Sequence, residues 1–159
     1  MRPAYTPSMS SGIRELRVWQ DSVTLAGDVI KVMRQGVRRE TKIVSDSVMA
    51  TALIIGSHVA DGYARHTLPE QRDSYMLAKR ALLRLETELA VARHADILPA
   101  SGLAELTARC NQLTRTLVGY IVYLDRQITE REPPVRRSAP PSSTALEGSP
   151  TLGSDRDPS

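Results

Sequence analysis

The chain has 159 residues, 41% of them hydrophobic and only 4% aromatic, with no Phe and a single Trp, and a formal charge of +3. That length suits one domain with tails, whose core must be built from aliphatic side chains. The charge excludes a strongly polybasic protein but permits an acidic partner such as RNA. The single cysteine, Cys110, excludes an internal disulfide and suits a reducing compartment.

Residues 1–12 contain Ser and Pro, show no periodicity, and read as a flexible N-terminal arm without the apolar run of a signal peptide. No apolar run approaches the ~18 residues of a membrane span. The expectation is therefore a soluble, cytoplasmic protein without a membrane partner.

From residue 13 the three-and-four spacing of a buried helix face begins: Leu16, Trp19, Val23, Ala26, Ile30, Met33 and Val37. Gly36 is placed to stop this first segment, because glycine adopts positive φ at little cost. The second segment carries the pattern through Val44, Val48, Ala52, Ile55, Val59 and Gly62. Leu53 and Ile54 widen its apolar face, so it is expected to touch more than one neighbour. Its small residues Gly56, Ser57, Ala60 and Gly62 predict a close helix contact, which a larger side chain at Ala60 would disturb.

Thr67-Leu68-Pro69-Glu70 predicts a helix start: Thr67 caps, Glu70 reaches back to the Thr67 amide, and Pro69 sits in the first turn. The third segment reads Tyr75, Ala78, Leu82, Leu85, Leu89 and Ala92, and Ile97-Leu98-Pro99 breaks it. The fourth reads Leu103, Leu106, Cys110, Leu113, Leu117, Tyr120, Leu124 and Ile128. Four such segments with short connections predict an all-α, antiparallel up-down-up-down four-helix bundle over residues 13–131. In the last 28 residues, 132–159, six Pro, six Ser and two Gly make up half the composition, which predicts a disordered tail.

Three stretches together, Leu16-x-Val18-Trp19-Gln20, Ser57-His58-Val59-Ala60-Asp61-Gly62 and Leu85-Glu86-Thr87-Glu88-Leu89-Ala90-x-Ala92, resemble the four-helix bundle proteins encoded in 23S rRNA intervening sequences. The resemblance covers about residues 13–130 and implies assembly into homopentamers. Through a related group, the accessory variability determinant proteins of diversity-generating retroelements, it also implies a reverse transcriptase or nucleic acid as partner. Gly56 and His58 stand where the family has Pro and Asn, Met49 and Ala50 replace a basic pair, and Arg84 replaces a Glu. Trp19, Ser57, His58, Asp61, Gly62 and Thr87 are the inherited motif positions, His58 by its place and not by residue type, with packing or an interface as their expected role.

No catalytic constellation is expected. A di-metal bundle needs Glu-x-x-His, which does not occur here. His58 and Asp61, one turn apart, read as a buried hydrogen-bond pair or interface contact rather than a metal site. Cys110 is in phase with the leucines around it and reads as core. Gly27, Gly36 and Gly119 are isolated and form no phosphate loop, so neither a cofactor nor a small-molecule substrate is expected. Two basic clusters remain: Arg34, Arg38, Arg39 and Lys42 around the first turn, and Lys79, Arg80 and Arg84 on the third segment. They read either as solvated helix surface or as a surface that tracks RNA phosphates. The leading expectation is a non-enzymatic, oligomeric, nucleic-acid-associated accessory protein; the alternative is a protein-interaction scaffold with no direct nucleic-acid role.

Overall fold

The structure, a computed structural model, describes residues 9–36 and 38–131. Val37, residues 1–8 and the Pro/Ser-rich segment 132–159 lie outside the described residues. All the described elements are α-helices: α1 (Met9–Glu15), α2 (Arg17–Gln35), α3 (Lys42–Ala64), α4 (Leu68–His94) and α5 (Ala100–Arg131).

The first segment of the sequence is thus two helices, and α1 begins inside the stretch read as a loose arm. The break falls at Leu16, whose extended backbone (φ −74°, ψ 114°) interrupts the spiral. Its carbonyl accepts from the amides of Trp19 and Gln20, so α2 starts without a side-chain cap. The Gln20 amide group instead reaches back to donate to the Arg14 carbonyl at 2.6 Å, tying the two helices together.

The buried stripe of α2 differs from the one the spacing predicts. Val18, Ser22, Leu25, Ala26, Val29 and Met33 are buried, whereas Val23 is 46% exposed and Trp19 and Ile30 are half-buried. The sequence carries two overlapping apolar stripes, and the core takes the one interrupted by a serine. Ser22 can be fully buried because its hydroxyl donates to the Trp19 carbonyl at 2.7 Å, which removes the cost of an unpaired polar group.

α4 follows the pattern in full, and α3 and α5 follow it except at Val44, Leu103, Tyr120 and Ile128, which are half-buried. Val48, Ala52, Ile55 and Val59 of α3 are buried, as are all six positions read for α4. In α5, Leu106, Cys110, Leu113, Leu117 and Leu124 form the stripe, joined by Gly102 and Ile121. Each of these large side chains contributes about 1.5–3 kcal/mol when fully buried. α3 packs against α2 and α4, and α5 against α4 and α2, so each of the four long helices has two neighbours.

Polar links at the rim fix the register. Ser47 of α3 donates to Glu88 of α4 at 3.1 Å. Arg72 of α4 donates to Asp125 of α5 at 2.7 Å, and Thr116 of α5 donates to Asp21 of α2 at 3.1 Å. At the start of α4 the Thr67 hydroxyl accepts from the Glu70 amide at 3.4 Å and donates to the Glu70 carboxylate at 2.7 Å. The cap is as expected, but the glutamate closes on the hydroxyl rather than on the Thr67 amide.

One helix departs from expectation in its hydropathy. By length and composition alone, α3 is apolar enough to cross a membrane. Counting consecutive apolar residues misses it, because Ser, Thr and Gly interrupt the run without lowering the mean much. In the fold this helix has one face in the core and carries exposed Leu53 and Ile54 on either side of its outer surface.

The close helix contact of α3 falls at Gly62, not Ala60. A Cβ at Gly62 would meet the Tyr75 ring and Ser74 at 3.1–3.2 Å, while Ala60 is only half-buried. Gly62→Val is therefore expected to lower stability by about 1–3 kcal/mol. A Cβ at Gly119, mid-helix in α5, would meet nothing within 4 Å, so Gly119→Ala is expected to raise stability by about 0.5–1 kcal/mol. Thermal melts of the two variants check both signs.

Candidate nucleic-acid interface and apolar grooves

The connection from α2 to α3 carries the first basic cluster. Gly36 ends α2, but with φ −108° and not in the left-handed region. Glycine is needed there for a different reason: a Cβ would lie 2.7 Å from the Ile97 carbonyl oxygen. The connection therefore presses on the α4–α5 turn, whose own left-handed residue is Asp96 (φ 55°). Beyond it the Thr41 side chain accepts from the Arg38 amide at 3.1 Å and donates to the Arg38 carbonyl, which shapes the turn that carries the arginines. Arg34, Arg38 and Arg39 are exposed and have no carboxylate within ion-pair distance among the described residues. Lys42 is different, since Asp46 one turn on neutralises it.

The second cluster divides as well. Arg80 and Arg84 line a notch of about 240 Å³ between α3 and α4, together with Thr51, Ile54 and His58, while Lys79 does not. His58 and the α4 arginines, far apart in sequence, thus share one place. Arg84 also pairs with Glu88 at 2.8 Å; Arg80 has no such partner among the described residues. The expected His58–Asp61 pair does not form: Asp61 is exposed, and the imidazole lies in the notch. Their spacing puts both on neighbouring positions of α3, but the imidazole lines the notch while the carboxylate stays in solvent.

Two apolar grooves flank α3. On the α2 side, Trp19, Val23, Ile30, Leu53, Ser57 and Ala60 line a groove of about 390 Å³. On the α4 side, Ile43, Val44, Val48, Thr87 and Val91 line another of about 380 Å³ with Glu88 at its edge. Ile43 is 78% exposed there. Of the inherited positions, Trp19 and Ser57 thus belong to one groove, Thr87 to the other, His58 to the notch and Gly62 to the core. Neither groove was recognised in the sequence, although its signal was present: Leu53 and Ile54 make α3 apolar on more sides than one neighbour can cover.

Cys110 is fully buried. Burial, with the Glu86 charge adding to it, pushes the thiol up to about 12, so no thiolate nucleophile forms at neutral pH. Among the described residues, no group of three or more His, Cys, Asp or Glu side chains is placed to hold a metal. Tyr75 and Tyr120 pack edge to face at 5.0 Å, and burial raises both phenols above their ordinary value.

The sequence model of the family described as 23S rRNA-intervening sequence protein matches residues 14–119, from the end of α1 into α5. No curated protein matches the chain.

Because the folded thiol titrates above its unfolded value of about 8.5, its contribution to stability is complete below that pH and is lost as pH rises toward about 12. In the native protein at pH 8, Cys110 is expected to resist Ellman's reagent, and to react fully once urea unfolds the chain. Rapid native labelling would show that α5 opens locally.

Proposed function

Because the chain belongs to the 23S rRNA-intervening sequence protein family, we propose that it acts in the cytoplasm as a non-enzymatic, self-assembling accessory protein that associates with nucleic acid. In this reading its long helices form an antiparallel up-down-up-down bundle. The observation that carries the nucleic-acid role is the set Arg34, Arg38 and Arg39, exposed at one end of the helices and without carboxylate partners among the described residues. Lys31, Lys42, Arg72 and Arg109 are each matched to an acid, while Arg65, Lys79, Arg115 and Arg126 also stand without one among the described residues; what sets this place apart is three such cations between positions 34 and 39. Unmatched arginines clustered at one end of a helix suit phosphate contacts, which give affinity without sequence readout.

Self-assembly is supported by the two grooves beside α3. A closed ring needs two different patches on each subunit, because every copy meets its neighbours head to tail. The Trp19–Leu53 groove and the Ile43–Val91 groove are two such patches, and a ring would repeat the arginine turn once per copy. Five copies is the number that the family resemblance implies. Leu53→Asp is expected to shift the assembly to monomer in light scattering at micromolar concentration while leaving helicity intact. A wild-type monomer would end the assembly reading.

The nucleic-acid role is tested by filter binding of structured RNA across a salt series. Arg38→Glu with Arg39→Glu is expected to abolish retention near physiological salt. At low salt it should reduce the log–log slope by about 2 for the two lost phosphate contacts. Equal retention by the double variant would remove the role from this turn. Absence of wild-type retention would favour a scaffold for a protein such as a reverse transcriptase.

A further inference from the structure

We propose that the notch between α3 and α4 receives one nucleotide of unpaired RNA, its base on the apolar floor and its phosphate at the cationic rim. This rests on the nucleic-acid association above, and narrows it to a place and a class of RNA. Its lining is aliphatic at Ile54, Leu77 and Ala81, which we take as the floor, and basic at His58, Arg80 and Arg84, which we take as the rim. Ile54 and Leu77 are 42% and 43% exposed, a large aliphatic area beside positive charge. No carboxylate lines the notch. Arg80 has no acidic partner among the described residues, whereas Arg84, one turn on, is paired with Glu88.

The shape decides between classes of RNA. A recess of about 240 Å³ between two helices admits one planar ring and an attached phosphate. A duplex, whose bases stay stacked and paired, has no free ring to place in it. Unpaired bases also stack on guanidinium planes, and Arg80 and Arg84 supply these in a notch that no aromatic residue lines. The Thr51 side chain adds a hydroxyl to an otherwise aliphatic lining, which suits a base edge or a ribose.

The test compares a short fluorescent oligouridylate with a blunt RNA duplex of the same length, each titrated with the full chain. Arg80→Gln, at an exposed position, is expected to weaken single-strand binding roughly tenfold, the size of one hydrogen bond to a charged group, and to lower its log–log salt slope by about 0.7, with duplex binding unchanged. Ile54→Asp, which places a negative charge in the floor, should have the same selectivity, with circular dichroism and light scattering confirming fold and assembly. Arg38→Glu with Arg39→Glu should instead weaken both RNAs. Undiminished single-strand binding by Arg80→Gln, or equal loss for both RNAs, would overturn the notch and leave the wider role standing. So would wild-type binding of duplex alone. Wild-type binding of neither RNA would take down the nucleic-acid role and the notch together.

Discussion

The structure depends on one helix having more apolar surface than the fold can cover. α3 presses Val48, Ala52, Ile55 and Val59 into the core, all fully buried, and still carries Ile43, Leu53 and Ile54 outward. A helix apolar on one stripe is satisfied by a single bundle, and one apolar on several sides calls for further cover. The grooves on the two sides of α3 arise from this surplus. The notch with its arginines sits at the edge of the same surface, where α4 turns from apolar to charged.

Where side-chain periodicity was strict, the sequence was easy to read. The α4 stripe from Tyr75 to Ala92 and most of the α5 stripe follow directly from three-and-four spacing, since the other apolar residues there, such as Leu77 and Leu83 on α4 and Val118 and Val122 on α5, are too few to make a second continuous stripe. The α2 stripe was harder because Val18/Leu25/Val29 and Trp19/Val23/Ile30 are both plausible faces. The choice between them was settled by Ser22, a polar residue that satisfies itself on its own helix and so can take a core position. Gly36 was recognised as a stop for the wrong physical cause, since what it avoids is a carbonyl oxygen 61 residues away in the sequence. No local pattern could reveal that contact.

The candidate site was legible only in fragments. Basic residues were visible as two runs, but whether a cation is free depends on which acid lies within reach in space. Lys42 has one a turn away and Arg84 has Glu88, so both are partly spent on intramolecular pairing, while Arg38, Arg39 and Arg80 are not. The meeting of His58 with Arg80 depends on the register of α3 on α4, which Ser47–Glu88 at one level and Gly62–Tyr75 at another hold in place. Register is a property of the folded pair, and a single sequence does not display it.

The contact of Gly36 with the Ile97 carbonyl joins two connections that are distant along the chain. The direction in which the arginine turn points is therefore governed partly by the backbone of Ala95–Pro99, a stretch with no basic residue of its own. Substitutions around Asp96 that alter its left-handed geometry would re-aim the arginines without touching them. Divergent versions of this protein could thus change how they approach a ligand while every cation stays in place, steering by a rudder at the opposite hairpin.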